Sequence, residues 1–287
     1  MSGACTQGVD TGFVTLGAAK VAILGVVQGI TELMPISSTA HMRLVPALLG
    51  WQDPGSAFSA TMQLAALSAV VCYFWRDIRA IAGGSLAAVA SRDWGSTEFR
   101  LAVGIVLGTV PIVIAGLFLA PLLNTCDSPL RTLPVIGIAC LVMGVLLAIA
   151  EIACRHRRRT EDMRLSDALI VGVAQVGALI PGVSRSGSTL TAALFRDFAR
   201  EEAARFSFLL GLPAIALAGL HEVVTLVHAH LALEGWLILL VGVVVGSLSS
   251  FAALWGLMRI LERYSTWPFI IYRILLGVAV LWVSFAA

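Results

Sequence analysis

The chain has 287 residues, 59% of them hydrophobic and 13% charged, with a formal net charge of +2. A mean hydropathy of +0.93 excludes an ordinary soluble globular domain, and the near-neutral charge gives no reason to expect nucleic acid as a partner. Lipid is the implied solvent: at about 20 apolar residues per crossing there is room for roughly six to eight spans, which makes residues 1–287 a single membrane domain.

The N-terminus has no basic stretch ahead of an apolar core, so the first hydrophobic segment is expected to stay in the mature protein. The cysteines, Cys5, Cys72, Cys126, Cys140 and Cys154, show no C-x-x-C spacing. That points away from zinc and from a disulfide framework, and they read as small buried hydrophobes.

Taken in order, the first apolar region, Leu16 to Leu49, is interrupted by LMPISSTAH. Proline removes a backbone donor and clashes with the preceding turn, so the region reads as two half-helices joined by a turn. Uninterrupted spans follow from Ala57 to Trp75, Phe99 to Leu119 and Leu133 to Ile152. A second broken region, Leu165 to Phe195, carries LIPGVSRSGST, and spans from Phe206 to Val227, Gly235 to Met258 and Pro268 to Phe285 complete the chain.

The broken regions resemble each other. GVVQGITELMPISS aligns with GVAQVGALIPGVSR at one constant offset, pairing Gly25 with Gly172, Gln28 with Gln175 and Ser37 with Ser184; Pro35 and Pro181 fall one place out of register. Each copy, about residues 16–153 and about residues 165–286, reads hairpin, span, span, span, and an odd number of spans makes the second hairpin enter from the opposite side. The expected fold is an all-α integral membrane protein. It is an inverted-topology repeat with six transmembrane spans, two re-entrant helical hairpins and about ten helical segments, its binding site at the repeat interface.

Arg76, Arg79, Arg92, Arg100, the run from Arg155 to Arg164, Arg196, Arg200, Arg205, Arg259 and Arg263 fall on one side, against Lys20, Arg43 and Arg131 on the other. The first side is expected to be cytoplasmic, with both termini facing outward.

Polar groups at membrane depth are costly unless satisfied, which singles out Glu32, His41, Arg185 and Arg273. Gln28 and Glu32 are one turn apart on one helix face. Each returning half-helix opens with serines, Ser37 and Ser38 in the first and Ser184 and Ser186 in the second. Serine is a good N-cap, and a helix start also presents free N–H donors and a positive dipole end to an anion such as phosphate. Arg185 at such a turn adds a fork of donors suited to phosphate oxygens.

The segments Gln28 to His41, QGITELMPISSTAH, and Pro181 to Thr189, PGVSRSGST, resemble the two signatures of the undecaprenyl-pyrophosphate phosphatase, or bacitracin-resistance, family. The likeness extends to FSFLL from Phe206 to Leu210 and to the Ile-Tyr-Arg run ending at Arg273. It implies hydrolysis of undecaprenyl pyrophosphate to the monophosphate and inorganic phosphate, which recycles the lipid carrier of cell-wall synthesis in the bacterial cytoplasmic membrane. It also implies a divalent cation, Mg²⁺ ahead of Ca²⁺ or Mn²⁺, and a bacitracin effect exerted on the substrate rather than on the protein. Many members carry glutamate where this chain has Gln28, so here a cation would rest on Glu32, phosphate oxygens, water and the Gln28 carbonyl.

Ser38 is the expected nucleophile, with His41 or Glu32 as general base; Ser37, or water activated by Glu32, is the alternative attacker. Arg185, Ser37, Ser184, Ser186 and Thr189 are expected to hold the pyrophosphate. A flippase of polyprenyl phosphate would use the same anion site without a nucleophile, and sequence leaves monomer or homodimer open. The rival type 2 phosphatidic-acid phosphatases need a histidine after their Ser-Arg pair, and the run SGSTLTAALFRDF that follows Arg185 contains none.

Overall fold

The computed structural model describes residues 5–6, 9–123 and 129–286. After a two-residue antiparallel ladder, Cys5–Thr6 with Val9–Asp10, the described chain is helical. The helices are α1 (Phe13–Leu33), α2 (Ser38–Leu49), α3 (Ser56–Thr61), α4 (Gln63–Tyr73), α5 (Trp75–Ser91) and α6 (Thr97–Leu123), then α7 (Leu133–Ala153), α8 (Leu165–Val176), α9 (Arg185–Phe195), α10 (Arg200–His228), α11 (Leu233–Arg263) and α12 (Trp267–Ala286). Six of them, α1, α6, α7, α10, α11 and α12, are long and apolar enough to cross a membrane. The chain is a multi-pass membrane protein.

Both broken regions break at their prolines. Met34 and Ile180, each preceding a proline, are extended (φ −74°, ψ 145° and φ −85°, ψ 118°), the conformation that the clash with the proline ring favours. Ser37 and Ser184 follow with left-handed φ of 73° and 67°, and each caps its helix: Ala40 N–H donates to Ser37 Oγ and Gly187 N–H to Ser184 Oγ.

Two details differ from the sequence expectation. The arm into the first turn is a 21-residue helix with a single non-helical residue, Gly17, because no proline interrupts it before Pro35. The span expected over Ala57 to Trp75 turns by 73° at its end into α5. Phe74 breaks the helix there, and α5 continues for 17 residues that the apolar pattern alone did not mark off. Of the cysteines, Cys140 is buried, Cys154 half-buried and Cys72 exposed, all free; Cys126 lies outside the described residues. A buried hydrophobe is therefore the right description for Cys140 alone among these three.

Helices meet through small residues. A methyl on Gly25 of α1 would stand 2.8 Å from the Gly242 carbonyl oxygen of α11, and a methyl on Gly172 of α8 would overlap the Gly108 backbone of α6. Gly25 and Gly172 are the glycines that the internal alignment pairs, so both hairpins dock on a partner helix by the same close approach. At one end of the bundle Asp167 accepts from Arg158 and Arg196, Glu151 from Arg200 and Thr266, and Asp77 from Arg205. These contacts gather the arginine-rich segments at that end. Arg43 pairs with Asp53 and Lys20 lies over the Trp51 ring at the other.

Candidate active site

The two proline turns meet inside the bundle, and one arginine joins them. Arg273, with 0% exposure, donates to Pro35 O (3.0 Å) of the first turn and to Gly182 O (2.7 Å) and Val183 O of the second, and reaches Cys140 O (3.2 Å) on α7. Ser186 adds a second link, its hydroxyl donating to Met34 O at 3.1 Å. Because both half-helices start here, their N-terminal dipole ends converge on one spot.

Beside the turns lies a cavity of about 360 Å³. Gln28, Glu32, Ser38, Ser184 and Arg185 line its inner end, Ala214, Ile215 and Ala218 of α10 form one wall, and Arg43, Asp53, Arg131 and Glu222 border it as well. Ser38 Oγ donates to Glu32 Oε2 at 2.7 Å, and Gln28 Nε2 donates to the same oxygen at 3.0 Å. The other carboxylate oxygen is 3.6 Å from Arg185 Nη2, an ion pair whose side chains are only 11% and 10% exposed.

That inner end is polar and incompletely satisfied. Arg185 Nη2 and Gln28 Oε1 are buried without a hydrogen-bond partner, an arrangement that costs about 1–3 kcal/mol per group unless something fills it. Arg185 Nη2, 3.6 Å from the Glu32 carboxylate, thus has room for a hydrogen-bond acceptor closer than its ion-pair partner. Gly211 of α10 makes the room, since a methyl there would overlap Arg185 Nη1.

The expected site residues divide in two. Gln28, Glu32, Ser38, Ser184 and Arg185 border the cavity. Ser37 caps α2, Ser186 links the turns, and the Thr189 hydroxyl donates to Arg185 O at 2.8 Å, so these three shape the turns instead of lining the space. His41 was expected as a possible base for Ser38; its nitrogens face Ser37 O and the Tyr272 hydroxyl, and Ser38 is bonded to Glu32. The three-residue spacing of Ser38 and His41 brings them to one helix end, but the imidazole meets Tyr272 of α12 and not the Ser38 hydroxyl.

Arg273 and Tyr272 belong to the Ile-Tyr-Arg run that marks the family likeness, but no role for either was legible in the sequence. Gly211 carries no mark at all, as a glycine in a membrane helix is common.

Among the described residues no group of three His, Cys, Asp or Glu side chains converges, so a transition-metal cage is not built. Glu32, the unpartnered Gln28 Oε1 and the Ser38 hydroxyl form an all-oxygen set next to the expected phosphate position. Hard cations that share one carboxylate with phosphate oxygens fit such a set.

Fold and site together define a polytopic membrane protein with a half-buried hydroxyl–carboxylate pair and an arginine lining one cavity. The chain belongs to the bacitracin resistance protein BacA family, whose model matches residues 21–279. It is 66% identical over 254 residues to the undecaprenyl-diphosphatase 2 of Mesorhizobium japonicum, covering 88% of this chain and 96% of that protein. It is also 48% identical over 281 residues to the undecaprenyl-diphosphatase of Synechocystis sp., covering 96% and 86%, and 46% identical over 279 residues to that of Trichormus variabilis, covering 97% and 87%.

Proposed function

We propose that the chain is a membrane phosphatase that hydrolyses undecaprenyl pyrophosphate to undecaprenyl phosphate and inorganic phosphate, returning the carrier lipid to cell-wall synthesis. The observation that carries this is Ser38 Oγ on Glu32 Oε2 at 2.7 Å, in a cavity shared with Arg185, in a chain so similar to named undecaprenyl-diphosphatases. A carrier that only moved a phosphorylated lipid has no need of a hydroxyl held on a carboxylate.

In this mechanism Ser38 Oγ attacks the terminal phosphorus, and Glu32 receives its proton. The new Oγ–P bond forms as the anhydride P–O bond breaks, and undecaprenyl phosphate leaves with the bridging oxygen. Glu32 hands that proton to the departing undecaprenyl phosphate, then deprotonates a water that attacks the phosphorus; the Oγ–P bond breaks, and Glu32 returns the proton to Ser38 Oγ as phosphate leaves. Arg185 and the N–H groups at the starts of α2 and α9 neutralise the phosphoryl oxygens, which is most of what phosphoryl transfer asks of a protein. Glu32 and Gln28 would hold a divalent cation, Mg²⁺ ahead of Ca²⁺ or Mn²⁺, which when bound adds charge neutralisation.

The arginine-rich end is read as cytoplasmic, with both termini and the cavity outward in the bacterial cytoplasmic membrane. The test is phosphate release from farnesyl or undecaprenyl pyrophosphate by the purified protein, with and without EDTA. Release that EDTA abolishes and Mg²⁺ restores is the expected result; none with any of the three cations overturns the reading.

A further inference from the structure

His41 sits beside the Ser37–Ser38 turn but does not border the cavity that Ser38 lines. Both of its nitrogens are engaged, Nδ1 at 2.8 Å from the Ser37 carbonyl oxygen and Nε2 at 2.7 Å from the Tyr272 hydroxyl. A carbonyl oxygen only accepts, so Nδ1 carries the proton, and in the neutral ring Nε2 accepts from the Tyr272 O–H. The two rings are parallel with centroids 5.6 Å apart, and His41 is 7% exposed. Tyr272 is 45% exposed on α12, one of the membrane-crossing helices, where lipid offers its hydroxyl no partner, and by taking Nε2 it fixes which nitrogen faces Ser37.

We propose that His41 is a positioning residue that aims the Ser37–Ser38 peptide, and that Tyr272 locks its tautomer; this rests on the hydrolase reading above. In a trans peptide the carbonyl and the following N–H point in opposite directions. Holding Ser37 O against Nδ1 therefore turns the Ser38 N–H away from His41, and fixes the backbone from which Ser38 Oγ reaches Glu32. The same carbonyl accepts the His41 backbone N–H at a long 3.5 Å, against 2.9 Å for the corresponding bond from Ser188 to Ser184 O in the second hairpin, so the imidazole is the shorter of two holds on Ser37.

The second hairpin supplies an internal comparison. Ser184 has nearly the same φ and the same capping bond, yet the residue aligned with His41 is Ser188, whose hydroxyl donates to Arg185 O. The left-handed serine turn thus forms without an imidazole. What distinguishes the first turn is that it presents a hydroxyl to a carboxylate.

Asparagine and glutamine separate the two roles, since an Asn amide nitrogen stands near where Nδ1 does and a Gln amide nitrogen near Nε2, and neither takes up a proton. With the full-length protein and farnesyl pyrophosphate, His41→Asn should keep kcat within about tenfold of wild type, while His41→Gln falls about 100-fold or more with KM little changed. Loss of a general base costs about 10²–10⁴-fold with either amide, so equal losses in Asn and Gln overturn the proposal.

Tyr272→Phe should lower kcat by roughly three- to tenfold alone and not at all in the His41→Asn background, where the donor needs no lock. Equal effects in both backgrounds overturn the tautomer lock. If the His41 variants do not purify, Tyr272→Phe decides alone, and wild-type kcat in that variant overturns the lock. Phosphate release by the wild-type protein in the same assay keeps a failure here distinct from failure of the hydrolase reading.

Discussion

A methyl group at Gly211 tests the aim of Arg185 without touching its charge. Built on the α10 backbone, that methyl overlaps Arg185 Nη1 and stands 3.1 Å from Cζ; the next nearest atom, Ile215 Cδ1 of the same helix, is at an ordinary 3.7 Å. Ordinary contact between carbons is about 3.5–4.0 Å, so the guanidinium carbon must retreat by at least about 0.5 Å and Nη1 by roughly 1 Å or more. The far end of an arginine moves cheaply, so the helix stays and the donor fork shifts.

A misplacement of about 1 Å at a reacting centre costs on the order of 100-fold, or about 2.7 kcal/mol of barrier. Gly211→Ala should therefore lower kcat/KM for a polyprenyl pyrophosphate about 100-fold while the melting temperature in detergent stays near that of wild type. Gly256→Ala is the control: nothing lies within 4 Å of its added methyl on α11, and the substitution should be neutral or stabilising by about 0.5–1 kcal/mol. Turnover by Gly211→Ala within a few-fold of wild type would refute the assignment of Arg185 to the reacting phosphate. A parallel loss of stability would instead make Gly211 a packing residue.

Ser38→Ala and Glu32→Gln should each lose phosphate release by at least about 100-fold, while lipid-pyrophosphate binding to Ser38→Ala, followed by titration in detergent, remains measurable. Arg273→Met removes a charged donor from four carbonyls, of which Gly182 O keeps the Cys140 thiol. At about 1.5–3 kcal/mol per charge-assisted bond in water, and less in a bilayer, the loss should be on the order of 5 kcal/mol, read as a large drop in melting temperature. Survival of the wild-type melting curve would remove Arg273 from the role of joining the turns. A cysteine at Arg157, exposed in the arginine-rich loop, should resist impermeant reagents in intact cells, given that Cys5, Cys72, Cys126 and Cys154 have been replaced. Labelling from outside would invert the topology.

Much of the architecture is legible in the sequence because it follows from short-range physics. The residues before Pro35 and Pro181 are disfavoured in a helix, serines cap the helices that follow, and a run of some twenty apolar residues has few soluble alternatives. Glu32, Ser38 and Arg185 stood out because a polar group beside a break in an apolar helix has to be satisfied by something. Even the bend at Phe74, which had no proline to mark it, lies at the edge of the apolar stretch, where Arg76 and Asp77 begin.

Partner choice is where the sequence stopped. Arg273 and Pro35 are 238 positions apart and His41 and Tyr272 are 231 apart, and nothing local to either residue says whom it will meet. Helical spacing placed Ser38 and His41 on neighbouring positions and made them a reasonable nucleophile and base. Only the left-handed Ser37, the approach of α12 and the arrival of Glu32 from α1 decided that the hydroxyl would rest on the carboxylate and the imidazole on a backbone carbonyl. Side-chain chemistry and backbone breaks belong to the chain; the direction in which each group points is settled by which helices pack, because that packing determines which donors and acceptors are left to find one another.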